Sequence, residues 1–401
     1  MVTTRETEPG TRRDTNVPLG YLRGFLVLLV VAHHSALAYA QILPAPPSSL
    51  TANMAWNAFP ITDAHRTPAL ALFAGINDIF FMSLLFFLSG LFVTQSIDRK
   101  GRIAFIRDRI IRLGIPFAIA AAILGPLAYF PAFAQITGSM DVHEFWREWR
   151  SLAFWPSGPV WFIWLLLAFD FVAFLLFMVF PGWASLIGRL GANADKRPFL
   201  FLLLLVLLSA LAYAPMAIAF GSSTWTQWGP FSFQTARLFH YAIYFLIGVG
   251  LGAHGTERGL LDPEGGLARG WWLWIIYAII GYAVVASIVV AAIAAKGQPQ
   301  ALWEGVGGIG FAIACAALSF AFLALFLKFV KHSFGLWDSL RDNSYGFYIF
   351  HYALVNWLQY ALLQYDLPAF AKFGIVFGGA AISAWILTAL LRSIPAVRRV
   401  I

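Results

Sequence analysis

Cysteine is almost missing from this chain: Cys315 is the single one in 401 residues. That excludes a disulfide framework and any cysteine-built metal site. Charge is scarce too. Asp, Glu, Lys and Arg make up 11% of the residues, less than half of the ~25% usual in a soluble domain, which excludes an ordinary soluble enzyme. There is no His-Glu-x-x-His, no phosphate loop ending in Gly-Lys-Ser/Thr and no Gly-x-Ser-x-Gly, so the sequence marks of zinc peptidases, P-loop nucleotidases and serine hydrolases are absent. The stretch Gly248-Val-Gly250-Leu-Gly252 sits inside an apolar run with no strand before it. It reads as a place where helices approach closely rather than as a dinucleotide loop.

What is present is hydrophobic: 60% of the residues. Apolar runs of about 18 or more residues recur along the chain, each long enough to cross a bilayer. They predict an all-α, polytopic integral membrane protein with about ten transmembrane helices in one bundle. The spans are expected near 19–41, 76–97, 113–135, 159–180, 198–219, 236–253, 270–295, 305–330, 344–362 and 371–392. One transmembrane domain would then cover 17–395, between a disordered polar tail (1–16) and a short C-terminus (396–401). No internal repeat is visible. The first span has Arg12 and Arg13 before it and Ala36, Ala38 and Ala40 near its end, an arrangement that resembles a signal-cleavage site. Its length and two histidines argue that it is retained.

The net charge of +8 is explained by topology rather than by nucleic acid. With both termini in the cytoplasm, only Arg66, Arg147, Arg150, Arg237, Lys296 and Lys372 fall on the opposite side, and the positive-inside rule is obeyed. A bacterial inner membrane is the expected location, with membrane lipids as surroundings. Of the outer connections, 42–75 is rich in proline and carries Asp63, His65 and Arg66, while 136–158 holds an alternation of aromatic and charged residues from Asp141 to Arg150. The latter predicts a helix lying in the interface, with Trp155 and Trp161 as belt anchors.

Ionisable residues inside the spans are the candidates for chemistry, because each costs about 2.5–3.5 kcal/mol to insert at membrane depth. His33 and His34 lie in the first span, and Arg23 is eleven residues before His34. Eleven residues make about three helical turns, which puts Arg23 and His34 on one stripe about 16 Å apart, with His33 rotated away. Arg109 and Arg112 share a helical face and form a paired grip for an anionic group; they also fit a purely topological role at lipid headgroups. Asp78 is placed to orient His34 or to pair with an arginine, and the same choice applies to Asp170. Arg237, His240, Tyr241 and Tyr244 fall on or near one face of the sixth span and suit a sugar or an acidic acyl group. Trp161 joins them as a substrate-binding candidate. His351 remains ambiguous between packing and function.

Arg23-x10-His34, Arg109-x-x-Arg112 and the ten spans together resemble acyltransferase family 3 of membrane enzymes. Further matching stretches are Phe86-Phe87-Leu88-Ser89-Gly90, Gly158-Pro159-Val160-Trp161-Phe162 and Asn343-Ser344-Tyr345-Gly346-Phe347-Tyr348-Ile349-Phe350-His351. The resemblance covers nearly the whole chain, and the family includes O-antigen acetylases and the glucan biosynthesis protein C type. It implies transfer of an acyl group from cytoplasmic acyl-CoA to a hydroxyl of an extracytoplasmic glycan or lipid. Carried onto this chain, it implies Arg23 and His34 as catalytic residues and Arg109 and Arg112 as binders of the acyl-CoA. No permanently bound cofactor is expected; acyl-CoA enters as a co-substrate. His34 would act as general base, with a transient acyl-histidine as the other route.

Without the resemblance, the residues alone establish a polytopic protein with a buried His/Arg/Asp site. A secondary transporter or a flippase component meets that description equally, although the missing repeat counts against the transporter. Oligomeric state stays open, a homo-oligomer included.

Overall fold

The computed structural model describes residues 16–41, 60–192 and 194–401. The expected tail, except Asn16, and most of the connection that begins at residue 42 lie outside them. In chain order the described elements are α1 (Val17–Leu37), α2 (Pro68–Leu91), α3 (Arg102–Thr137), α4 (Val142–Ser151), α5 (Trp161–Val179), α6 (Trp183–Ala192) and α7 (Pro198–Phe220). A hairpin of β1 (Trp225–Trp228) and β2 (Phe231–Gln234) follows, and then α8 (Leu238–His254), α9 (Trp271–Ala294), α10 (Gln300–Phe329), α11 (Gly335–Ala361) and α12 (Ala369–Arg392). Among the described residues, nine helices are long and apolar enough to cross a membrane. The protein is an all-α polytopic membrane protein.

Helices α1, α2, α8 and α10 form the centre, while α9 and α12 lie outside. In the most apolar window of α10, 72% of the residues are buried, against 11% in α9; the apolar outer surface of α9 is what a lipid-facing helix presents. The start of α1 is set by Asn16, whose side chain accepts from the N–H of Leu19 at 3.2 Å and donates to the carbonyl of Thr256 at 2.7 Å. That side-chain acceptor satisfies one of the free amides of the first turn.

The glycine pattern of α8 is a site of close helix contact. A Cβ on Gly248 would meet the carbonyl oxygen of Phe87, and one on Gly252 the carbonyl oxygen of Leu91, both on α2; a Cβ on Gly90 of α2 would strike the carbonyl of Phe245. Backbone cannot yield as a flexible side chain does. Gly252→Ala is therefore expected to destabilise the protein by about 1–3 kcal/mol through overpacking, read as a lowered melting temperature in detergent; an unchanged melt would disprove the interlock.

Helix α3 is punctuated by proline. Its π-helical segments, Ile110–Gly114 and Ala120–Leu124, each end just before a proline, Pro116 and Pro126. A proline ring removes one N–H and crowds the carbonyl four residues back, and the wider π turn makes room for it. The carbonyls left without that donor are served from α11. The hydroxyl of Tyr345 donates to Arg112 O at 2.6 Å. The indole of Trp357 donates to Leu127 O at 2.9 Å, four residues before Pro131. Asn356 donates to the neighbouring Ala128 O, also at 2.9 Å.

These duties explain why α11 falls outside the nine apolar spans although it is 27 residues long. His351, Asn356 and Gln359 make it polar along its buried face. It packs between α1, α3 and α12 and begins nine residues earlier than the expected start at 344. The interfacial stretch also forms as a helix: in α4, Asp141 caps the N-terminus, and Phe145 and Trp149 pack inward against Phe133 and Tyr129.

Candidate active site

His34 stands near the end of α1, where Gln359 of α11 donates to its carbonyl at 2.9 Å. The imidazole Nδ1 lies 2.9 Å from the carbonyl of Val30, one turn back, and 3.3 Å from Nε2 of His351. A carbonyl only accepts, so Nδ1 of His34 carries the hydrogen. The same argument applies to His351, whose Nδ1 lies 2.8 Å from the carbonyl of Tyr348. Neutral His351 therefore offers the Nε2 lone pair toward His34, and both contacts select one tautomer of His34. Nε2 of His34 is left as the basic nitrogen. The ring is held edge-on by Tyr352, with centroids 5.2 Å apart.

His34 lines a cleft of about 840 Å³ of unfilled space, open solvent at its mouth included. Residues of α1, α2, α8 and α11, the turn 154–161 and the hairpin enclose it. His33 also lines it, against Phe81 at 5.1 Å between ring centroids; its buried Nδ1 has no hydrogen-bond partner among the described residues. Trp155 and Trp161, expected as belt anchors, line the cleft instead; the indole of Trp155 donates to Ala121 O at 2.8 Å.

Asp78 and Arg237 face the same cleft as a bidentate pair. Arg237 donates through its two terminal nitrogens to the two carboxylate oxygens at 3.1 and 2.6 Å, and to the carbonyl of Asp78 at 3.0 Å. Its guanidinium also lies 4.6 Å from the ring centre of Phe311. The carboxylate of Asp78 is thus engaged by Arg237, and no hydrogen bond to His34 is formed; of the two expected arrangements, the arginine pair is the one present. Tyr241, one turn after Arg237, lines the cleft and stacks on Trp161 at 5.8 Å.

His240 does not reach the cleft. It is fully buried, with Nδ1 at 2.6 Å from the hydroxyl of Ser209 and Nε2 at 2.9 Å from that of Ser83. The helix explains the difference: His240 and Tyr241 are adjacent in α8 and point about 100° apart, so Tyr241 meets the cleft while His240 turns into the bundle.

A second group gathers elsewhere and contributes nothing to the cleft lining. Arg23 is exposed to solvent. Arg109, Arg112 and Arg341 all lie within electrostatic range of it. Arg109 approaches the buried Asp170 of α5 at 3.2 Å, without hydrogen-bond alignment, and Arg112 is exposed. Arg341 is held by Asp338 and Asp342 at 3.1 and 3.0 Å. Four guanidinium groups therefore influence one another here, and two of them, Arg109 and Arg341, face carboxylates. Arg23 and His34 share one helix, but only His34 lines the cleft.

Residues 17–389 match the model of a protein family described as an acyltransferase domain. The chain belongs to acyltransferase family 3. This acyltransferase has no match among curated proteins or solved structures. Sequence reasoning left His351 undecided and missed the hairpin lining altogether. The spacing Tyr345-x-x-Tyr348-x-x-His351, one helical face, was the available signal for the former.

Proposed function

We propose that this acyltransferase moves an acyl group from acyl-CoA to a hydroxyl of a glycan or lipid, with His34 as the general base. The observation that carries this reading is the free Nε2 of His34 on an open cleft, with its Nδ1–H tied to Val30 and His351. The acceptor hydroxyl gives its proton to Nε2 as its oxygen attacks the thioester carbonyl. The tetrahedral intermediate then expels the coenzyme thiolate, which takes up the proton from the imidazolium, so charge and protons balance. Asp78 and Arg237 form the polar wall of the acceptor side.

In the same reading, Arg23, Arg109 and Arg112 hold the coenzyme phosphates from the cytoplasmic side, and the acceptor enters opposite, in a bacterial inner membrane with both termini inside. The rise of α1 puts Arg23 and His34 about 16 Å apart, a distance that the extended thioester arm of the coenzyme can bridge. Membership of an acyltransferase family sets the transporter and flippase readings aside.

The test is calorimetric titration of the purified protein with acetyl-CoA and succinyl-CoA. Arg109→Ala/Arg112→Ala is expected to weaken binding by 10-fold or more, on the order of 1.4 kcal/mol, and His34→Ala to change it less than about threefold. Absence of binding by folded wild type to both thioesters would overturn the donor assignment.

A further inference from the structure

Away from the His34 cleft, a second pocket of about 1000 Å³ of unfilled space, open solvent included, opens where two spanning helices end. Helix α5 stops at Val179 and α8 at His254, and Phe177 of the one and Ala253 of the other line the pocket. Such helix ends mark the depth at which hydrocarbon gives way to headgroups. The facing wall is the short helix Val93–Lys100, which continues α2, and the turn at Gly101, φ +81°, that leads into α3.

Helix α6 closes the pocket with Ala184 and Ser185. A Cβ on Gly188 would meet the carbonyl oxygen of Gly250, so α6 rests directly on α8. Leu186 and Leu190, one turn apart on α6, are exposed, as on a helix that lies in the membrane interface. Ile103, Met178 and Phe180 are exposed as well. Each of these three, and Leu186, is the sequence neighbour of a residue that lines the pocket. Apolar surface suited to acyl chains therefore borders a polar recess.

The polar lining is divided by charge. Asp98 and Arg102 both line the pocket, yet they form no ion pair with each other or with any other described residue. Arg102 has only the weak acceptor Sδ of Met178, at 3.9 Å. The hydroxyls of Thr94 and Ser185 already donate to Val249 O at 3.3 Å and to Gly182 O at 2.8 Å. Both oxygens thus offer the pocket lone pairs alone. Three acceptor groups stand beside one cation.

From this division we propose that the pocket holds the headgroup of an aminophospholipid, phosphatidylethanolamine, from the adjoining leaflet. Arg102 takes the phosphate through its planar fork. The primary ammonium has three N–H donors, which meet Asp98 and the oxygens of Thr94 and Ser185. A choline head has no N–H for these acceptors, and a glycerol head brings no cation to Asp98. The acyl chains run out over Leu186 and Met178. The lipid braces the start of α3 against α5, α6 and α8, independently of the acyl transfer assigned above.

The experiment is native mass spectrometry of the full chain in detergent, titrated with phosphatidylethanolamine, phosphatidylcholine and phosphatidylglycerol that carry identical dioleoyl chains. Wild type is expected to bind the ethanolamine lipid at least fivefold more tightly than the other two. Asp98→Asn should bring the ethanolamine and choline lipids within twofold of each other, and Asp98→Glu should keep the preference. Arg102→Gln should weaken the ethanolamine lipid at least fivefold. Equal melting profiles check that each variant is folded. O-phosphoethanolamine, the same headgroup without chains, should leave the lipid in place at hundredfold excess; displacement would make the ligand a soluble phosphoamine and overturn the lipid assignment. Equal binding of the three lipids by wild type, or a preference untouched by both Asp98→Asn and Arg102→Gln, overturns the proposal. So does displacement of the lipid by acetyl-CoA together with loss of acetyl-CoA binding in Arg102→Gln, which would give the pocket to the coenzyme.

Discussion

His34→Ala is expected to lower acyl transfer by about 10²–10⁴-fold, the range a positioned general base contributes, and to leave acyl-CoA binding in place. The loss follows from the geometry around the imidazole. Its Nδ1–H is committed to Val30 O and to the lone pair of His351, so Nε2 is the one nitrogen able to accept a proton. An imidazolium formed by that transfer keeps both Nδ1 contacts and is stabilised by them. Glutamine at position 34 preserves hydrogen bonding but cannot take the proton, so His34→Gln should be nearly as slow as the alanine variant. The measurement is thiol release together with product formation in proteoliposomes supplied with acyl-CoA and an acceptor. Activity of either variant within about tenfold of wild type would rule out base catalysis by His34. His351→Ala should fall between, because it removes the partner that selects the tautomer and leaves the Val30 carbonyl in place.

The largest effect on stability is expected just past the end of α1, where Asp63, whose N–H donates to Ala38 O at 3.0 Å, meets Lys372 at 2.7 Å. Neither side chain is more than 1% exposed. Lys372 begins the first turns of α12, and Asp63 lies in the segment that enters α2. The same segment is bound to α3 through Thr62 and Gln135, whose groups exchange hydrogen bonds at 2.6 and 3.2 Å. Removing one member of a buried pair leaves the other charge without compensation, which costs about 3–5 kcal/mol. Asp63→Asn is the sharper variant, since its remaining oxygen can still accept from the N–H of His65, as Asp63 now does at 2.8 Å. Lys372→Met should cost a similar amount. The double change Asp63→Leu/Lys372→Met should recover most of the loss, because apolar replacement of a whole buried pair is often neutral or better. Thermal melts of wild type, Asp63→Leu, Lys372→Met and the double variant in one detergent give the cycle, with Asp63→Asn melted beside them. A cost below about 1 kcal/mol for Asp63→Asn would show that the pair behaves like an exposed one.

The bundle was legible because apolar length is the strongest signal a membrane chain carries, and because Gly248, Gly250 and Gly252 announce close packing directly. The first turns of α11 were not: Asp338, Arg341 and Asp342 interrupt the apolar run, and the contact of Asp338 with Tyr21 of α1 is not visible in it. Within the cleft, His34 stands out by the rarity of its charge type at depth. The partners are another matter. Asp78 and Arg237, or His34 and His351, are far apart in the chain, and nothing in either local pattern names the other. The hairpin carries a readable signal, two alternating four-residue strands around Gly229-Pro230, but its brevity between two long helices obscured it. His240 misled for a helical reason, as the sequence neighbour of Tyr241 that faces about 100° away from it.

Helix α11 bears on how the protein is made. Its asparagine, glutamine and histidine side chains would be expensive in bare hydrocarbon, so it is poorly suited to leave the translocon for lipid alone. Its hydrogen-bonding partners are carbonyls of α1 and of the proline-broken α3, which are synthesised long before it. Those earlier helices must wait with open acceptors until α11 arrives to close them. His34 therefore enters the bilayer early but receives His351 only near the end of synthesis, and an incomplete chain in the membrane cannot present the finished pocket.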